Sequence, residues 1–226
     1  ASAVRNPFGT GTGKYPLSDA WQTTTQVLRN RATLLVGFSV AGPLALSTAL
    51  TSWLPTYYNQ VFHMPLAAAS SVLGLFTMVG IPAALVGGFL PSRVGLRKPF
   101  LLLPGAIAGF LALGVFLTPN PFILYPAVIA LGICLWVYIP PIISLSMELP
   151  GMTPSLAGVI IATAFAVGNI AGFLSPLVVG WIADVTGSYV PGFLLWTLLS
   201  WSLLISALLP ETGHKAVQKV SKAPTP

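Results

Sequence analysis

Long apolar runs alternate along this chain with short polar breaks. Six runs stand out: Ala32 to Tyr57, Leu66 to Leu90, Phe100 to Leu117, Phe122 to Met147, Ser155 to Ala183 and Pro191 to Leu209. A helix needs about 20 mainly apolar residues to cross the hydrocarbon of a bilayer, so each run predicts one crossing. Lipid offers no partner for backbone N–H and C=O groups, and a helix satisfies both within its own segment. The expected fold is an all-α membrane protein with six transmembrane helices over residues 29–213, flanked by polar tails at 1–28 and 214–226.

The runs differ in detail. Gly42-Pro43 in the first predicts a kink or a local break, and Pro140-Pro141 in the fourth removes two backbone donors and predicts another. Gly74, Gly80, Gly87 and Gly88 give the second run a small-residue face for close helix contact. Gly158, Ala162, Ala166, Gly168, Ala171 and Gly172 make the fifth richer still. Trp53, Tyr57 and Tyr58 form an aromatic belt where the first run leaves the membrane. In the N-terminal tail, Ser18-Asp19-Ala20-Trp21 fits either a short interfacial helix capped by Ser18 or an irregular linker.

Charge supplies the orientation. Charged residues make up 6% of the chain against 55% hydrophobic, where a soluble domain carries about 25% charged residues. The net charge of +6 sits wholly in tails and breaks. Arg5, Lys14, Arg29, Arg31, Arg93, Arg97, Lys98, Lys215, Lys219 and Lys222 all fall on one side of a six-span layout, and the three breaks on the other side hold no Lys or Arg. A five- or seven-span layout would divide the set. Cytoplasmic loops carry the excess of Lys and Arg, so both termini are expected in the cytoplasm. These cations read as topology signals and contacts to anionic membrane lipid, not as a nucleic-acid surface. Cys134 lies in an apolar run, which excludes an internal disulfide and predicts a small buried hydrophobe. Residues 1–28 have no apolar core, so no cleavable signal peptide is expected, and Ala1 in place of Met fits a processed piece or a fragment.

The same scarcity of charge bounds the chemistry. Four acids and two histidines, all outside or at the edge of the runs, assemble no catalytic triad, metal cluster or phosphate loop. No enzyme activity, metal or cofactor is expected. His63 and His214 read as surface residues. Membrane proton relays and ion sites normally use an ionisable residue inside a span. None lies well inside these six, so any coupling carboxylate belongs elsewhere. Asn169 is a lone amide in the middle of an apolar run and needs substrate, water or another helix as partner.

The basic break Gly87-Gly88-Phe89-Leu90-Pro91-Ser92-Arg93-Val94-Gly95-Leu96-Arg97-Lys98-Pro99 resembles the major facilitator superfamily signature, Gly-x-Leu-x-Asp-Arg-x-Gly-Arg-Arg/Lys. Gly88, Leu90, Arg93, Gly95, Arg97 and Lys98 fall in register, and Ser92 replaces the family's Asp. The second copy of that signature is often degenerate, which identifies the chain as resembling a C-terminal six-helix half. Ser175 to Asp184 resembles the Pro-x-x-x-Gly-x-x-x-Asp ending of the family's second-to-last helix. Pro210-Glu211-Thr212-Gly213 is similar to the Pro-Glu-Thr run closing the last one, and Glu148 precedes Pro150 where many members carry an acid.

The resemblance implies a cytoplasmic gate latch built on Gly88, Arg93, Gly95, Arg97, Lys98 and Glu148. The alternative is that the cations only set topology and bind headgroups. It also implies a solute cavity lined by the first, second, fourth and fifth helices, with Ser47, Thr48, Thr51, Thr77, Trp136, Tyr138 and Asn169 as candidates. Serine and threonine can instead bond back to their own helix carbonyls, and Asn169 serves equally well as glue between helices. The implied function is half of a secondary transporter of small solutes. It would work by alternating access with a second six-helix half, in the same polypeptide or a separate chain, with residues 1–28 as the remains of the linker. The alternative is a transport-inactive structural subunit of a larger membrane complex. The inner turn Pro150-Gly151-Met152-Thr153-Pro154 looks most like the cyanate/organic-anion branch, where the solute is anionic. The expected location is a bacterial inner (plasma) membrane.

Overall fold

A computed structural model describes residues 31–148 and 154–212. The tails, the expected interfacial helix at Ser18 and the inner turn 149–153 lie outside the described residues. Every described element is helical: α1 (Arg31–Val61), α2 (Leu66–Val94), α3 (Pro99–Phe116), α4 (Pro121–Val137), α5 (Ile139–Met147), α6 (Pro154–Thr186) and α7 (Val190–Ser200), which continues into a 3₁₀ segment at Trp201–Leu208. Six helical stretches are long and apolar enough to cross a membrane, with α4 and α5 forming one of them. The six spans expected from hydropathy are all present.

The proline sites divide. The fourth span breaks at Tyr138, between α4 and α5, as the double proline predicts. Pro141 has no N–H for the carbonyl of Val137, and that carbonyl lies where α2 comes closest. A Cβ on Gly87 would stand 2.1 Å from the Val137 oxygen, so only glycine fits there. At Gly42-Pro43, by contrast, α1 runs unbroken. The carbonyl of Ser39, orphaned by Pro43, accepts from the Ser202 hydroxyl at 3.4 Å, and that hydroxyl oxygen accepts the Gly42 N–H at 3.2 Å. A neighbouring helix has supplied the partner that the proline removed. The same glycine lets α7 approach until a Cβ would meet the Leu199 carbonyl at 1.9 Å.

Three further expectations are corrected. The second span runs on through Pro91 to Val94 and ends at Gly95, whose φ of 74° and N–H bond to Pro91 O make a left-handed helix cap. The turn before α3 is therefore shorter than the polar residues suggest. Gly74 touches nothing across the helix, whereas Gly80 packs under the Trp136 indole. The sixth span does not stay α-helical to its end: its last eight residues tighten into a 3₁₀ helix.

Two cores run end to end. One gathers Leu46, Leu50, Leu54, Tyr57, Tyr58, Phe76, Phe116, Leu131 and Phe193 at what we term the aromatic end. The other gathers Val36, Val40, Leu101, Tyr138, Ile142, Leu145 and Leu203 toward the basic end, where Arg93, Arg97 and Lys98 lie. Helix α1 is the central element, with 61% of its most apolar stretch buried. In α2 and in α6 the figure is 28%, the lowest of the six spans.

Candidate functional site

The basic end is tied together by charge. Arg97 donates to Glu148 through Nη2 at 2.7 Å and through Nε at 3.4 Å, a two-pronged approach to the carboxylate at the end of α5. Its Nη1 donates to the Ser92 hydroxyl at 3.2 Å. Ser92, where the resembled signature has Asp, thus still touches the arginine, as a neutral acceptor. Thr212 donates to the second Glu148 oxygen at 2.9 Å. The guanidinium is 12% exposed and the carboxylate 36%. That shielding favours the pair, but solvent still reaches the carboxylate. A charge-assisted bond of this kind is worth on the order of 1 kcal/mol after screening.

A second carboxylate completes the knot. Glu211 accepts the backbone N–H of Arg97 at 2.7 Å and that of Lys98 at 3.0 Å. These amides lie at the start of α3, where the first N–H groups of a helix have no internal partner and a negative charge is favoured. Lys98 answers by donating from Nζ to the Ala207 carbonyl at 2.7 Å, at the closing turn of the 3₁₀ segment. The ends of the second, third, fourth and sixth spans therefore meet in one polar cluster. Glu211 carries two of its bonds and had no role in the sequence reading beyond its Pro-Glu-Thr run. The available signal was a carboxylate just past the last span, near a helix start that needs an acceptor. Arg93 stands apart, exposed, with its guanidinium carbon 4.3 Å over the Phe89 ring.

The cavity candidates are dispersed. Thr48, Thr51 and Thr77 donate to carbonyls of their own helices, those of Leu44 at 2.8 Å, Thr48 at 3.1 Å and Leu73 at 3.2 Å. Thr48 also lies under α6, 3.2 Å from where a Cβ on Gly172 would be, and Ser47 precedes it, half-buried. Asn169 is exposed on α6 and donates to Phe165 O at 2.8 Å, so its own helix meets one amide N–H. Trp136 is half-buried, and its indole N–H has no partner among the described residues. Tyr138 is 1% exposed and packs in the core of the basic end, away from any open face. Thr48 and Asn169, on facing helices, are brought closest to one region; Thr77 and Trp136 belong to the α2–α4 side.

At the aromatic end the buried polar groups are neutral, and the one carboxylate there among the described residues, Asp184, is exposed. Tyr57 and Tyr58 donate to the carbonyls of Phe116 and Val115 at 2.6 Å each, capping the end of α3. Trp53 donates to Pro176 O at 2.8 Å and ties α1 to α6.

Comparison with known proteins places this architecture. The family model of the Major Facilitator Superfamily matches residues 4–176. A protein named a tartrate transporter in Agrobacterium vitis is 35% identical over 80 residues, covering 35% of this chain and 17% of that protein. One named a nitrate/nitrite antiporter in Thermus thermophilus is 41% identical over 75 residues, 32% of this chain and 16% of its own length. One named a sulfoacetate transporter in Cupriavidus necator is 29% identical over 171 residues, 70% of this chain and 39% of its own length. The chain thus spans well under half the length of these relatives.

Proposed function

Because this chain belongs to the major facilitator superfamily, we propose that it is one six-helix half of a secondary transporter of small anions, working by alternating access against a second half. It is an integral membrane protein of six spans. The observation that carries the proposal is its uneven burial: α2 and α6 pack beside the buried α1 and are the least enclosed of the six spans. Transporters of repeated halves bind solute near the midplane between the halves, and two less enclosed helices beside a central one suit that arrangement.

The anionic solute rests on the relatives' names, since tartrate, nitrate and sulfoacetate are all anions. An anion in a low-dielectric cavity needs a cation, and no Lys or Arg lies between Arg31 and Arg93 or between Lys98 and Lys215. The second half would supply it. This half would contribute neutral groups: Ser47, Thr48, Thr51 and Asn169 on one wall, Thr77 and Trp136 on the other. The Arg97–Glu148–Glu211 cluster would hold the basic end as a rigid unit facing the cytoplasm of a bacterial cell, with Arg93 free to reach across.

The test is transport by the intact assembly. Purified with whatever accompanies this chain and reconstituted in vesicles, it should exchange at least one labelled small anion, and Asn169→Ala should weaken that exchange. A second half with no anion flux would overturn the substrate class. Co-purification at fixed ratio with a larger membrane complex, without a second half, would overturn transport and make the chain a structural subunit.

A further inference from the structure

Near the aromatic end, a cavity of about 480 Å³ opens beside α1 and α6, lined by Ser52, Trp53, Pro176, Gly180, Trp181 and Asp184. Its walls are an unusual mixture for a membrane helix pair. The Trp53 ring is held in place, donating to Pro176 O at 2.8 Å and leaning on Tyr189 with ring centres 5.3 Å apart. Gly180 makes room for it, since a Cβ there would stand 2.9 Å from the ring. Trp181 is 67% exposed, and Asp184 follows one helical turn later. Asp184 has no hydrogen-bond or ion-pair partner among the described residues. The sequence offers it no Lys or Arg at this end, because every cation lies in the tails or the basic break.

A carboxylate beside one fixed and one exposed indole is complementary to a cation that is also flat or apolar in part. Indole faces attract guanidinium and ammonium groups, and a carboxylate pairs with either. Arginine combines a stacking surface with a two-pronged donor. Trp181 alone would read as an interfacial anchor; a cavity with an unpaired acid within one turn of it asks for more. We propose that this cavity receives an arginine or lysine side chain of the second six-helix half and latches the aromatic end shut. The inference rests on the half-transporter reading above. It adds where the second half docks when that end is closed.

The test uses the full assembly in vesicles, in a Cys134→Ala background. A cysteine placed at Ser47, five residues deeper than Ser52 on α1, reports whether the aromatic end is open to a membrane-impermeant maleimide. Its depth keeps it about 7 Å along the helix from the cavity, which limits any direct influence of the carboxylate on the thiol. Asp184→Asn should raise the labelling rate roughly tenfold, the population shift expected when a charge pair worth about 1.4 kcal/mol is lost. Asp184→Glu should return it toward the starting value. Equal thermal unfolding of both variants shows that the fold is retained. Unchanged labelling in an assembly that contains a second half overturns the latch and leaves the transporter reading standing. Protection of the starting protein by tetramethylammonium, abolished in Asp184→Asn, would also overturn it by making a free organic cation the occupant. An assembly without a second half removes both readings together, and its mass identifies that case.

Discussion

Tyr57 and Tyr58, 3% and 0% exposed, close the aromatic end with two short hydrogen bonds from neutral hydroxyls inside a packed core. Arg97 and Glu148 close the basic end with full charges, and the carboxylate remains 36% exposed. The first arrangement draws its strength from close packing and two shielded hydrogen bonds. The second draws on electrostatics that water and ions weaken. One end is fused within itself by packing, while the other is joined by charged groups at its surface.

Breaking the comparison at its strong side should have the largest effect. Tyr58→Ala removes a fully buried ring and its bond to Val115, and should cost about 3–5 kcal/mol, read as a steep fall in the thermal unfolding temperature in detergent. Gly42→Ala comes next, because its Cβ would meet the Leu199 carbonyl at 1.9 Å. Overpacking of this kind costs roughly 1–3 kcal/mol and should also disturb the Ser202 bridge over Pro43, seen as faster amide exchange in α1 and α7. At the basic end, Glu211→Ala should leave global unfolding nearly unchanged. It should speed exchange of the Arg97 and Lys98 amides about tenfold, as expected for local loss of about 1–2 kcal/mol. Arg97→Lys should have the smallest effect on stability, below about 1 kcal/mol, since it keeps the charge and loses the two-pronged geometry. Raising salt should reproduce the Glu211→Ala exchange pattern and spare the tyrosine end; equal sensitivity at both ends would break the comparison.

The six crossings were legible because hydropathy and charge placement are local properties that each residue carries by itself. The break at Tyr138 was legible for the same reason, since two missing donors in a row cannot be hidden. At Gly42-Pro43 the helix does not break, because the carbonyl freed there is met by Ser202, which lies on a different span. Glu211 had no assigned role because the amides it serves are distant in sequence and adjacent only after the third and sixth spans pack. The family resemblance grouped Arg97 and Glu148 with four other residues at the basic end without pairing them; the two lie 2.7 Å apart. Tyr138 looked like a cavity residue by type and helix; its burial depends on the direction of the chain at the break beside it.

The most direct test of the central claim, that this chain is one wall of a two-walled transporter, is the mass and peptide composition of the assembly drawn from its native membrane in mild detergent. The account predicts a second six-helix half in equal amount, within one polypeptide or as a separate chain. An assembly that holds this chain at fixed ratio among unrelated membrane subunits, with no matching half, would contradict it.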